Sequence, residues 1–194
     1  MTDTTPSGCS ALLVMDIQRE IVARYGDASD LLDRLKGAIA AARSATVPVI
    51  YVVVRFRAGY PEISARNRSF AAIRDAGTRM EESDPAMEIH PAVAPEPRDI
   101  VVTKRRVGAF SGSDLEVVLR AQGIDHLVLT GIATSGVVLS TLRLAADLDY
   151  RLSVLADCCA DADDEVHRVL LGKVFPRQAE VLTADEWAAT RLTS

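Results

Sequence analysis

The sequence is short of cysteine, of histidine and of any excess of positive charge, and each shortage narrows what it can be. Its 194 residues hold three cysteines, Cys9, Cys158 and Cys159. An odd number, two of them adjacent, argues against a disulfide framework, and without a Cys-x-x-Cys a zinc ribbon is unsupported. The three histidines, His90, His126 and His167, show no metal-ligand spacing. Basic residues number 22 against 27 acidic ones, a net charge of −5. A nucleic-acid partner is therefore not expected, because phosphate binding needs clustered Lys and Arg. Lys104-Arg105-Arg106 is too short a cluster to change that reading. No apolar run approaches the length of a membrane span, so no membrane partner is expected. The polar start MTDTTPSGCS has no basic region ahead of an apolar stretch. No secretory signal is expected, and a cytoplasmic setting is the simplest expectation.

What is present suits one compact α/β domain over residues 1–194, with 48% hydrophobic and 25% charged residues. Continuous apolar runs at Ala11–Met15, Val47–Val54, Ile100–Val102, Leu127–Leu129 and Leu152–Leu155 read as strands covered on both faces. Ala179–Leu182 is a candidate last edge strand. Helical patterns fall between them, at Leu31–Ala45, Asp114–Ala121, Val137–Leu148, Asp163–Leu171 and Ala184–Arg191. Ser113 is a good N-cap for the second of these and Gly123 a good stop. The alternation predicts βαβ units, a mostly parallel sheet and helices on both faces, a three-layer Rossmann-like fold. Residues 55–98 break the rhythm with Pro61, Pro85, Pro91, Pro95 and Pro97. They read as an irregular insertion, a lid or an oligomer contact, with a short helix near Ser64–Asp75.

Parallel sheets bind ligands beyond the carboxyl ends of their strands. Asp16 and Gln18 follow the first strand there, Arg55 and Arg57 the second and Lys104 the third. TGIATSG (130–136) follows the fourth, and Asp157, Cys158 and Cys159 the fifth. Lys104 favours a charged Asp16 and could hold a substrate carboxylate or developing negative charge. The same pair could equally be an ion pair that only stabilises the sheet edge. Backbone N–H groups of the Gly/Thr loop could bind an anion or an oxyanion, although Gly and Thr before a helix are also common capping chemistry. Arg55 and Arg57 either bind a substrate carboxylate or pair with the acidic insertion. Neighbouring acids would raise the pKa of Cys158 and Cys159, so neither thiol is expected to be reactive. His126 lies at the wrong end of its strand and His167 reads as a surface residue in mid-helix. Ser135 and Ser140 are therefore left without a base.

MDIQ at the end of the first strand, Lys104 followed by Ala109-Phe110, and TGIATSGVVLSTLRLAAD together resemble the isochorismatase-like hydrolase (cysteine hydrolase) superfamily from about Leu12 to Trp187. The resemblance implies a six-stranded parallel sheet, a homo-oligomer, no cofactor and a small-molecule substrate. It also implies a catalytic Asp16 and Lys104, and a cis peptide bond at Ile132–Ala133 beside the oxyanion site. Gln18, Phe110, Thr134 and Ser135 then match positions lining the substrate pocket. Val137 stands where the amidase branch carries its nucleophilic Cys, and a valine cannot form a thioester. Metal-binding members place an Asp and two His where Arg55-Phe56-Arg57 stands here, so no metal is expected. Two expectations follow. One is a hydrolase that works by acid/base chemistry without a covalent intermediate. The other is a binding or regulatory member that has lost catalysis.

Overall fold

The computed structural model describes residues 9–192. The polar segment before Cys9 and the last two residues lie outside them. Six strands, β1 (Cys9–Met15), β2 (Val49–Val54), β3 (Ile100–Lys104), β4 (Ile124–Ile132), β5 (Arg151–Ala160) and β6 (Glu180–Leu182), form one sheet in the order β3-β2-β1-β4-β5-β6. Every pairing is parallel. Helices α1 (Arg19–Ala23), α2 (Ser29–Ser44), α3 (Arg68–Asp75), α4 (Leu115–Ala121), α5 (Leu139–Asp147) and α6 (Asp164–Val169) lie in the connections, and α7 (Ala184–Leu192) follows β6.

The apolar runs explain the layering. Successive side chains of a strand face opposite ways. Leu13 and Met15 of β1 enter the layer of α4 and α5, with Leu119 and Leu142. Leu12 and Val14 enter the layer of α2 and α7, with Leu35 and Trp187. A strand buried on both sides has no room for alternation, hence its unbroken apolar sequence. The chain winds outward from β1 to β3, returns through β4, and winds the other way to β6. The crevice between β1 and β4 is thus the switch point, where open parallel sheets place their ligands.

Three segments differ from the sequence reading. β5 runs on to Ala160 past Asp157, because an irregularity opposite Leu129–Gly131 absorbs extra residues. The helix expected over Val137–Leu148, α5, starts only at Leu139, after a π-helical turn at Thr134–Val138. Residues 55–98 are less irregular than their prolines suggest. They hold α3 and two 3₁₀ turns, Pro85–Met87 and Pro91–Val93. Phe56, Ile63, Phe70, Met80 and Met87 form a small apolar cluster of their own.

Candidate active site

The switch-point crevice is closed at its base by a tight crossing. β4 pairs Gly131 with Met15 of β1. Gly131 has φ +144°, and a Cβ built there would lie 2.4 Å from the Met15 carbonyl oxygen. Only glycine fits such a contact. The next residue of β1, Asp16, takes φ +58° while its N–H donates to the Val52 carbonyl at 2.8 Å. Asp tolerates this left-handed conformation better than most residues.

The turn sends the Asp16 carboxylate toward the end of β3. Its Oδ2 lies 2.9 Å from Lys104 Nζ, and both side chains are almost wholly buried. The ammonium also donates to the carbonyls of Arg106 (3.0 Å) and Val107 (2.9 Å), so its three N–H groups all have acceptors. Asp16 Oδ1 is buried without a hydrogen-bond partner. Burial pushes the Asp16 carboxyl above the ordinary carboxylate range, and the adjacent Lys104 charge opposes that rise without cancelling it. The site thus holds one saturated cation and one carboxylate with a free oxygen.

Around this pair the predicted residues divide. Val107, whose carbonyl binds Lys104, approaches Gly136, so the loop after β3 meets the turn after β4. The Ala109 N–H donates to the buried Thr141 Oγ1 at 3.0 Å, which ties that loop to α5. The Ile132–Ala133 bond is cis. Thr134 and Val137 are buried in the turn that follows, and Ser135 is exposed. Gln18 is fully buried but engaged elsewhere. Its Nε2 donates to the carbonyls of Val54 and Met87, and its Oε1 accepts from the Val54 N–H at 2.8 Å. Phe110 packs in the apolar layer of α4 and α5, its ring centroid 6.0 Å from that of Tyr150, the residue before β5. Arg57 pairs with Glu62 at 2.5 Å, and Arg55 Nε donates to the Met87 carbonyl. Of the two roles open to these arginines, the contacts are with the insertion.

Two contacts at this edge were not legible in the sequence. His167, on α6, is half-buried rather than on the surface, and its Nδ1 lies 2.8 Å from Thr134 Oγ1. Asp161 Oδ2 accepts from the Ser135 N–H at 2.6 Å. Partial burial works to raise the Asp161 carboxyl, but the Ser135 N–H and nearby amides outweigh it and hold it below its usual range. Cys158 and Cys159 are buried free thiols. Burial, with the Asp157 charge adding to it, pushes Cys159 up to about 12 and Cys158 higher still. His126 bridges Ser10 and Ser153 at the start of β4, far from this edge. Among the described residues no group of three or more His, Cys, Asp or Glu side chains is placed to hold a metal ion. No helix among them is long and apolar enough to cross a membrane.

Comparison with known proteins bears on this geometry. Residues 10–186 match the family model of the isochorismatase domain. An uncharacterized isochorismatase family protein of Escherichia coli O157:H7 is 34% identical over 181 residues, covering 91% of this chain and 93% of the relative. The ureidoacrylate amidohydrolase of Stutzerimonas stutzeri (strain A1501) is 33% identical over 177 residues, covering 80% of this chain and 71% of its own. The crystal structure of N-carbamoylsarcosine amidase from Thermoplasma acidophilum superposes with a TM-score of 0.75 at 27% identity, over 91% of this chain and 97% of that one.

Proposed function

For a chain that belongs to the isochorismatase domain family, we propose hydrolysis of a small carboxylate- or carbonyl-bearing metabolite by acid/base chemistry at Asp16, without a covalent intermediate. The observation that carries the reading is the asymmetry of the Asp16 carboxylate. Lys104 holds Oδ2, and Oδ1 is buried and unpartnered. A carboxyl raised by burial keeps its proton longer than a solvated one, and a free oxygen is the place from which to give it up. In the proposed reaction Asp16 protonates the substrate and water adds to the activated carbon. The proton released by that water returns to Asp16, and the carbon–heteroatom bond of the adduct then breaks, its new hydroxyl becoming the carbonyl as Asp16 passes the hydroxyl proton to the leaving group. Lys104 keeps the carboxylate oriented and stabilises the anion left between these steps. The backbone of Ile132, Ala133 and Thr134 faces the oxygen that gains charge, with Ser135 at its rim. On the resemblance, Val137 takes the place of the thiol of the amidase branch, which removes the acyl-enzyme route.

The likeness to a ureidoacrylate amidohydrolase and an N-carbamoylsarcosine amidase guides the choice of probes. The purified chain is incubated with small ureido acids, N-carbamoyl amino acids, carboxylate vinyl ethers and simple amides, and products are read by NMR. Turnover that drops about 10²–10⁴-fold in Asp16→Asn is the expected result. Turnover that survives Asp16→Asn removes Asp16 from the chemistry. Binding seen as a thermal shift, with no product from any probe, makes the chain a binding or regulatory member instead. A homo-oligomer is part of the same proposal, and sedimentation of the full chain as a monomer would remove it.

A further inference from the structure

The turn that follows the cis bond is tied to it by main chain, since the Gly136 and Val138 N–H groups donate to the Ala133 carbonyl at 3.1 and 3.3 Å. The residue that precedes it, Ala133, offers no side-chain cap, and the helical turn at Thr134–Val138 is π-helical. The opening N–H groups of any helix lack partners within it. Here a different segment supplies two contacts, the one that runs from the end of β5 into α6. Asp161 Oδ2 accepts the Ser135 N–H at 2.6 Å. His167 Nδ1 meets Thr134 Oγ1 at 2.8 Å, across 33 residues of sequence. Thr134 has no exposed surface, and the imidazole is the partner its hydroxyl finds. The acid/base chemistry at Asp16 makes no use of His167.

We propose that His167 is a positioning residue, which through the Thr134 hydroxyl sets where the 132–134 backbone stands relative to Asp16. The inference rests on the reading that this backbone faces the reacting oxygen. The reason is geometric. Gly131 and Ile132 pair with Cys159 and Ala160 of β5 on one side, and Asp161 holds the Ser135 N–H on the other. Between those anchors the Thr134–His167 contact is the side-chain tie that fixes how Thr134 is turned. Either partner can supply the shared proton, since both imidazole tautomers and a hydroxyl can pair this way. Preorganised donors act only where they already stand when charge develops, so a shift of the turn is felt in the chemical step more than in binding.

The test uses the full chain and four substitutions, with urea melts to establish that each folds. His167→Ala and Thr134→Val remove one partner each. His167→Asn places an amide where Nδ1 was, and His167→Gln carries its amide one bond too far. With a probe that the chain hydrolyses, His167→Ala, His167→Gln and Thr134→Val are each expected to lower kcat about 10–100-fold and leave KM within about threefold. The His167→Ala, Thr134→Val double variant is no slower than either single one, and His167→Asn recovers most of the rate. Additive losses, an unchanged kcat, or an Asn variant as slow as the Ala one would overturn the proposal.

If wild-type protein turns over none of the probes, the hydrolase reading fails and the clamp is decided by amide NMR. His167→Ala and His167→Gln are then expected to move the resonances of Ala133–Ser135 and Asp16, and His167→Asn to restore them. Shifts confined to α6 would overturn it. Turnover indifferent to His167→Ala sinks the clamp and leaves the hydrolase reading standing.

Discussion

Gly131 crosses Met15 so closely that a Cβ on the glycine would lie 2.4 Å from the Met15 carbonyl oxygen and 2.9 Å from its Cβ. The atoms it would meet belong to backbone and to a stiff stem, so nothing can swing aside. Gly131→Ala should destabilise the fold by at least about 2 kcal/mol, combining overpacking with a left-handed φ that alanine resists. It should also displace the Asp16 turn. Urea melts and the chemical shift of the Asp16 amide measure the two effects. An alanine variant as stable as wild type would mean that β1 and β4 can separate there.

Removing the cation should make stability depend on pH. Lys104→Met leaves the Asp16 carboxylate buried and without a partner, a change expected to cost about 3–5 kcal/mol near neutrality. Asp16 can escape by taking up a proton. Its pKa is already raised in the folded state, and losing Lys104 raises it further. Between about pH 4, where an unfolded Asp titrates, and the folded pKa, the folded chain then holds a proton the unfolded chain has lost. Stability should therefore fall as pH rises across that window, by about 1.4 kcal/mol per pH unit, and level off above it. In wild type the same sign holds over a narrower window. Urea midpoints of both proteins between pH 4.5 and 8 provide the comparison, and parallel curves would contradict it.

Gln18 closes the gap between β2 and the insertion through three main-chain bonds, one of them to Met87 at 2.7 Å. Gln18→Ala should leave the Val54 carbonyl and N–H without their side-chain partner and the Met87 carbonyl with Arg55 Nε alone, at about 1–3 kcal/mol for each group left unsatisfied away from water. The insertion should become open to trypsin at Arg57, Arg66 or Arg68 before the sheet unfolds. If the variant keeps its stability and loses only ligand affinity, Gln18 belongs to the pocket instead.

The thiols should sort by burial. Cys9 is exposed, whereas burial pushes Cys159 up to about 12 and Cys158 higher. A disulfide reagent at pH 8 should titrate one thiol rapidly in the native chain and three in guanidinium, because the thiolate is the reacting species. Rapid reaction of a second native thiol would show that the end of β5 is open.

The sheet was legible because strands buried on both faces must be apolar along their whole length, as Leu12–Met15 and Val49–Val54 are. Asp16 and Lys104 were legible because each is the first charged residue to follow an apolar run. The turn after β4 was legible as a motif, but its anchors were not. His167 sits 33 residues beyond Thr134, and nothing in the spacing of α6 says that one of its side chains turns inward. Gln18 and Phe110 were legible as motif positions, but not their contacts, to main-chain groups for Gln18 and to Tyr150 for Phe110, which only the folded backbone creates. Prolines made residues 55–98 read as irregular, because the apolar spacing of Phe56, Phe70 and Met87 is too long for any local period to detect.

Gln18 grips the insertion by peptide groups, so it is indifferent to which side chains stand at positions 54 and 87. The cluster around Phe56 and Phe70 asks only for apolar volume. A lineage can thus exchange most of the surface between positions 57 and 86 while the insertion still docks at one place beside the same carboxylate. On the proposed function, drift in that surface leaves the proton donor at Asp16 untouched. The insertion is docked by groups every residue carries, so its outer face can change without rebuilding the sheet.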